Sequence, residues 1–219
     1  MKTPSKRSSH AIALALFTTL LLVKAGVAQK AAAPTPSQQL EELFVADQSD
    51  SRPNGTSAEA EATEARARER REKVAAILAT GKVQSAEDYF RSALIFQHSN
   101  AADDHLMAHV LATIAGYKGY QQGRWLSAAA LDAYLRALDK RQIFGTAYLI
   151  KGDRGLDQKF LSDALREEFC VPSVVEQQEN VNKIAANGRM AIKRFATSCE
   201  GNQNAPQGGP PPPPPPGRP

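Results

Sequence analysis

A single proline, Pro172, interrupts the chain between Thr56 and Asn204. Because a proline inside a helix costs ~3 kcal/mol, so long a stretch with only one proline is typical of consecutive helices. Apolar side chains recur in this stretch at helical spacing, as Phe90, Ala93 and Leu94 do at i, i+3 and i+4. The sequence therefore predicts a mainly α fold, a single helical bundle domain with disordered termini.

The helical pattern changes after the fourth predicted helix, in the segment QIFGTAYLIK (142–151). This segment is rich in β-branched and aromatic residues around a central glycine, and the turn-rich sequence GDRG follows it. We predict a short extended segment or a hairpin at this place, packed against the helices.

Two of the predicted helices have well-marked apolar stripes. The helix Thr56–Thr80 is expected to bury Val74, Ile77 and Leu78 near its end. The helix that begins near Asp103 is expected to bury a longer stripe, which comprises Leu106, Met107, Val110, Leu111, Ile114 and Tyr117.

The N-terminal segment Met1–Ala28 has the pattern of a secretory signal peptide. It starts with basic residues, continues with the apolar run Ala11–Val23, and ends with small residues at Gly26 and Ala28. A membrane anchor needs roughly 20 apolar residues, which is more than this run provides. We therefore predict cleavage after Ala28 and export to the periplasm or beyond, with an uncleaved anchor as the alternative.

Cleavage would change the charge of the chain. The full chain carries 27 basic and 23 acidic residues, which gives a formal charge of +4. The signal segment holds four of the basic residues and no acidic one, so the mature chain would be formally neutral: Lys2, Lys6, Arg7 and Lys24. Without a positive field, binding to nucleic acid is not expected.

Composition divides the remainder into three regions. Residues 29–55 read as a linker that contains a short helix at Gln38–Ala46, and residues 56–200 form the predicted helical domain. Residues 201–219 form a disordered, proline-rich tail, in which Pro210–Pro216 favours an extended polyproline helix. This tail would act as a spacer or as a ligand for a proline-recognition module.

Cys170 and Cys199 are the only cysteines, and export would permit a disulfide bond between them. A straight helix through the intervening residues would hold the two sulfurs too far apart. A bridge therefore requires the chain to fold back, for which Asn187-Gly188 is the expected position. A bridged and a reduced pair both remain open at this point.

Three of the four histidines lie close together in the sequence. His105 and His109 are four residues apart and share a helix face, and His98 and Asp104 are near enough to complete a metal-ligand set. The motif of helical metalloproteases has Glu after the first histidine, whereas this chain has Leu106 there. The alternative is that these histidines pack at the edge of the core and bind no metal.

A second group of polar residues lies in RQIFGT (141–146). Arg141, Gln142 and Thr146 could present hydrogen-bonding groups at the mouth of a helical bundle, where binding sites often occur. Alternatively, Gln142 and Thr146 satisfy backbone groups at exposed helix ends.

The segments SALIFQH, DDHLMAHVLA, RWLSAAALDAYL and RQIFGT resemble an uncharacterised family of exported bacterial proteins, a domain of unknown function with FQH and FGT signatures. The resemblance covers roughly Leu40–Glu176 and implies a fold and export, but no reaction. It implies the following matching positions for any site of the family: Gln97, His98, His109, Gln142 and Thr146. The family continues FGT with glutamine, but this chain has Ala147, which removes a polar side chain there.

The sequence contains no nucleophile elbow, P-loop, dinucleotide-binding glycine motif or CxxC pair, and no cofactor is predicted. We predict an exported, non-catalytic helical binding or scaffold module, whose partner is another exported protein or a component of the cell envelope. One alternative is a metal-dependent or other hydrolase that uses His98, His109 and the nearby aspartates. The other is a tetratricopeptide-like interaction domain, because LDAYLRAL resembles the second helix of such a repeat.

Overall fold

The structure, a computed structural model, describes residues 33–50, 57–147 and 155–187. This part of the chain contains seven helices and no strand, and from Pro34 onward it belongs to one compact unit. The helices are α1 (Pro36–Asp50), α2 (Ser57–Ala79), α3 (Ala86–Gln97), α4 (Ala102–Tyr117), α5 (Gln121–Ala137), α6 (Asp163–Glu168) and α7 (Val174–Asn187). The predicted mainly α fold is confirmed.

Several predictions concern residues outside the described ranges. The signal peptide Met1–Ala28, the tail 201–219 and Cys199 all lie there, as do residues 148–151 of the segment after the fourth predicted helix. Within the described ranges, none of the helices combines the length and the apolar character that crossing a bilayer requires.

Local sequence signals set the ends of several helices. The Ser85 hydroxyl caps α3 by accepting the Asp88 N–H at 3.0 Å. At α7, Ser173 and Glu176 form a capping box, in which each side chain accepts the backbone N–H of the other residue. Gly81 follows α2 with a φ of 67°, a backbone conformation that glycine adopts without strain. These signals act within a few residues, so they define these helix ends without any tertiary contact.

The helical body begins before residue 56, where composition placed its boundary. Within the predicted linker, α1 is longer than the short helix expected there, and it packs against α2 and α3. Leu40 is completely buried by this contact, and the Ser37 hydroxyl donates a hydrogen bond to Asp88 of α3. Alanine, proline and polar residues dominate the composition of this region, so one apolar helix face within it was a weak signal.

The hairpin of α4 and α5 is the most extensive helix pairing in the described structure. The two helices lie so close together that a Cβ on Gly123 would be only 2.6 Å from the Gly116 nitrogen. Only small residues therefore fit at this contact. Small side chains let two helix axes approach closely. Fully buried alanines line both helices of the pair: Ala108, Ala112 and Ala115 on α4, and Ala128 and Ala130 on α5.

Two apolar clusters form the core. The larger cluster contains residues from all five helices α1 through α5. It includes Val74 and Ile77 of α2, and Leu78 packs against the cluster, as predicted. The smaller consists of Ala128, Phe144 and Val171, and it attaches the chain after α5 to the bundle.

The predicted buried stripe of α4 is wrong for four of its six residues. Leu106, Met107, Val110 and Tyr117 are 38%, 43%, 46% and 82% exposed, whereas Leu111 is buried. The helix is apolar on nearly every side, so its sequence does not reveal which face is covered. The alanine face is buried instead, because only that face lets α5 approach closely.

After α5, Gln142 and Leu156 form an isolated parallel β-bridge. Of the extended segment or hairpin predicted at 142–151, Gln142 takes part in this bridge, whereas residues 143–147 form a bent loop. Beyond it, Cys170 follows α6, is 1% exposed and is disulfide-bonded. Cys199 is the only other cysteine of the chain, and its pairing with Cys170 stays a prediction because it lies outside the described residues.

Candidate functional site

The imidazole of His98 contacts α1. Its Nδ1 lies 2.7 Å from Oδ2 of Asp47, which is 2% exposed. The Nε atom of Arg70 on α2 lies 3.6 Å from the other oxygen of Asp47. From the end of α3, His98 therefore contacts a group of charges that joins α1 and α2.

Asp50 extends this group of charges. Arg70 donates to its carboxylate at 2.6 Å and Arg66 donates at 3.0 Å. The hydrogen bonds from the two guanidinium groups lower the pKa of Asp50 to about 2. Charge-assisted hydrogen bonds of this kind hold helices together, and here they tie α1 to α2.

His105 and His109 lie in different surroundings although they share α4. His109 donates from Nδ1 to the Ser127 carbonyl at 2.9 Å and so joins α4 to α5. The side chain of His105 is buried, and its Nδ1 has no hydrogen-bond partner among the described residues. Burial lowers the pKa of His105, because removal from water disfavours the charged imidazolium.

Asp104, the fourth candidate ligand, accepts hydrogen bonds from neighbours on other segments. The Ser99 hydroxyl donates to its Oδ2, and Arg71 Nε lies 3.0 Å from the same oxygen. No group of three or more His, Cys, Asp or Glu side chains is arranged for a metal ion within the ranges that the structure describes. His98, Asp104, His105 and His109 therefore do not form one ligand set there.

A groove of about 690 Å³ lies between α2 and the start of α4. Its lining contains three acidic and two basic side chains around an apolar floor: Glu64, Arg68, Arg71, Glu72, Ala75, Phe96, Ser99, Asn100, Ala101 and Asp104. Arg71 bridges the groove, since Nη2 contacts Glu64 at 2.8 Å while Nε contacts Asp104. Three of the five charged side chains in this groove thus pair with one another.

The segment Gln142–Ala147, which we name the FGT loop, folds around the carboxylate of Asp132. This carboxylate is completely buried on α5. Its Oδ1 accepts the backbone N–H groups of Ile143 and Phe144 at 2.9 and 3.0 Å. Its Oδ2 accepts both the N–H and the hydroxyl of Thr146 at 2.9 Å. One side chain thereby satisfies four donors of the loop.

The carbonyl groups of the FGT loop are satisfied by side chains from α6 and α7. Arg166 is completely buried and donates from Nη1 to the carbonyls of Ile143 and Phe144 at 2.8 and 2.7 Å. Gln177 donates from Nε2 to Phe144 O at 2.8 Å. Burial lowers the pKa of Arg166, while the negative charge of Asp132 is among the effects that raise it.

A glycine is required at the centre of the FGT loop. Gly145 has a φ of 82°, and a Cβ at this position would overlap Oε1 of Gln177. Within the same loop, Gln142 is 2% exposed, and its side-chain amide exchanges two hydrogen bonds with the backbone of Ala147.

The second predicted polar site therefore has a structural role in the described chain. Thr146 donates to Asp132 in the interior of α5, and Gln142 bonds the backbone of Ala147 inside the FGT loop, so neither satisfies a helix end. Arg141 is exposed beside them, and Gln97 lies apart on α3, where its buried Oε1 has no hydrogen-bond partner among the described residues. Sequence reasoning missed Asp132, although a carboxylate within an apolar helical stripe is a signal that could have found it.

The exposed apolar side chains of α4 form a surface that the sequence did not predict. We name Leu106, Met107, Val110 and Tyr117 the α4 stripe. Their spacing places them on one face of the helix, opposite the alanines that pack against α5. The partly buried Ile114 lies between Val110 and Tyr117 on the same side of the helix.

Comparison of this chain with protein-family models, with curated proteins and with solved structures gives no match in any of the three. The resemblance to an exported family of unknown function therefore stays a prediction, as does the likeness to a tetratricopeptide repeat.

Proposed function

We propose that the mature protein is an exported, non-catalytic binding or scaffold module whose contact surface is the α4 stripe. The observation that carries this proposal is the exposure of four large apolar side chains along one helix face. Single exposed apolar residues are ordinary, whereas a contiguous apolar patch is typical of a protein-interaction surface.

The energetics of the α4 stripe favour contact with a partner. Burial of apolar surface stabilises a complex by about 25 cal/mol per Å², so each half-exposed side chain can contribute roughly 1 kcal/mol. Tyr117 has the largest exposed fraction, and tyrosine is enriched at the centres of interfaces because it joins a large ring to a polar hydroxyl.

The polar candidates support the non-catalytic part of the proposal. His109 binds a backbone carbonyl of α5, and His98 binds the buried Asp47 of α1. Thr146 holds the FGT loop to α5, and Gln142 bonds Ala147 within the same loop. Each of these side chains makes a hydrogen bond that supports the fold. This structural use favours a non-catalytic role for them.

Site-specific photo-crosslinking tests the α4 stripe as a contact surface. A photoreactive amino acid is placed at Met107 in cells that express and export the full chain, with the exposed Glu69 of α2 as the control position. We expect adducts at Met107 and none at Glu69, and we expect Val110→Glu to remove them without changing the thermal midpoint. Equal labelling at both positions, or none at Met107, would contradict the proposal.

The export part of the proposal has its own measurement. N-terminal sequencing of the protein from the extracytoplasmic fraction should begin at Gln29. A chain that stays in the cytoplasm with Met1 intact would refute export and leave the crosslinking result to stand alone.

A further inference from the structure

We infer that the partner of the α4 stripe is a second copy of this chain, packed so that the two α4 helices run antiparallel across a two-fold axis. This inference rests on the proposed function, because it names the partner of that same surface. It is carried by the order of charged and apolar residues along α4.

An acidic residue and a basic residue bracket the α4 stripe. Asp103 is exposed in the first turn of α4, and Lys118 is exposed directly after its last residue. The exposed apolar side chains lie between them. Around the circumference of the helix, Asp103 lies near Val110 and Lys118 lies near Met107, as the repeat of 3.6 residues requires.

The antiparallel arrangement matches these charges twice. A two-fold axis relates each contact to an identical one, so Asp103 of one copy meets Lys118 of the other at both ends. The midpoint of these two positions falls at Val110, where the apolar side chains of the copies would meet. A parallel arrangement would instead place Asp103 beside Asp103, and like charges repel.

Two further features favour self-association. The antiparallel arrangement places the positive end of each helix dipole beside the negative end of the other. The mature chain is predicted to have equal numbers of basic and acidic residues, so no net charge opposes the approach of two copies.

The position of Lys118 relative to α3 is also defined. Its Nζ lies 5.8 Å from the centroid of the Tyr89 ring, which places Lys118 at the α3 edge of the α4 stripe.

The size of the surface sets the expected strength. One helix face presents less than the ~800 Å² per partner that stable complexes bury. We therefore expect a weak, reversible dimer with a dissociation constant on the order of tens to hundreds of micromolar. The dimeric fraction would then rise with the local concentration of the chain, as expected for a scaffold that assembles reversibly.

Sedimentation velocity of the mature protein tests the inference. Between about 10 and about 500 µM we expect a continuous shift toward twice the monomer mass, and 1 M salt should weaken the pairing of the charged ends. Val110→Glu should abolish the shift, whereas Glu69→Gln on α2 should not affect it.

Charge exchange tests the antiparallel geometry. Asp103→Lys and Lys118→Asp each place like charges opposite one another at both ends, so each should weaken the dimer about tenfold. An equimolar mixture of the two variants should associate with at least the native affinity, because the basic ends of one face the acidic ends of the other. Circular dichroism should show that both variants keep the native helix content.

The possible results separate this inference from the proposed function. A native chain that stays monomeric at every concentration, or a mixture without recovered association, overturns antiparallel self-association. If Met107 then crosslinks to a protein of different mass, the α4 stripe is still a contact surface and only its partner was misassigned. A monomer that also gives no Met107 adduct overturns both.

Discussion

Replacement of Asp132 by asparagine should destabilise the protein more than any exposed carboxylate replacement. The Asp132 carboxylate accepts three backbone N–H groups and one hydroxyl of the FGT loop, and it is completely buried. The amide of Asp132→Asn retains one acceptor oxygen and points an NH₂ group at the remaining donors. In its better orientation the NH₂ lies near Thr146, whose hydroxyl can turn to accept from it, while the Thr146 N–H loses its partner.

The expected loss follows from these contacts. A buried N–H without a partner costs about 1–3 kcal/mol, and hydrogen bonds that lose their charged acceptor weaken further. The substitution also leaves the buried Arg166 with less compensating negative charge. We expect the free energy of unfolding to fall by about 2–4 kcal/mol, which corresponds to a midpoint about 10 °C lower for a chain of this length.

Urea and thermal unfolding followed by circular dichroism measure this loss, with Glu72→Gln as the matched control. Glu72 is an exposed carboxylate on α2, so its replacement should change the free energy of unfolding by no more than about 0.5 kcal/mol. Asp132→Ala should be worse than Asp132→Asn because it removes every acceptor. If Asp132→Asn unfolds at the same urea concentration as the native chain, the FGT loop is not held by this carboxylate.

Three further predictions concern other positions. Burial lowers the pKa of His105 below its value of about 6.5 in the unfolded chain, so the unfolded state binds more protons and stability rises with pH. The contribution of His105 to stability should be complete above pH 6.5 and lost as the pH falls through its folded pKa. The urea midpoint of His105→Gln should therefore vary less between about pH 5 and 7 than that of the native chain. Parallel plots of midpoint against pH for the two proteins would contradict this. Gly145→Ala should cost more stability than Gly119→Ala, since both glycines have a positive φ but only the first would place its Cβ against a buried side chain; equal thermal midpoints would show that the loop yields. Cys170 and Cys199 should resist alkylation until reduced, and reduction should lower the free energy of unfolding by about 3–4 kcal/mol; two labelled thiols in the unreduced protein would exclude the pairing.

The candidate metal site shows where reasoning from spacing stops. His105 and His109 do share a helix, as their separation predicts. Nδ1 of His105 is buried with no hydrogen-bond partner in the described part of the chain, whereas His109 donates to the carbonyl of Ser127. His98 is close to them in sequence but contacts Asp47, which lies fifty-one positions away. Proximity along the chain predicted which histidines share a helix. It could not predict which neighbouring group each imidazole would contact.

The sequence by itself determined the helices and several of their ends. Capping residues such as Ser85 and the pair Ser173 and Glu176 act on backbone groups within three positions, so their effect is present in the local sequence. The scarcity of proline likewise restricts the backbone before any tertiary contact forms.

Only the tertiary structure decided which face of α4 is covered. Helix α4 is apolar on nearly all sides, and the close approach of α5 at Gly123 selected the alanine face for burial, leaving the α4 stripe exposed. The FGT loop likewise depends on Asp132, Arg166 and Gln177, which come from three separate helices. Such contacts depend on how distant segments pack together, and no local pattern of residues encodes that packing.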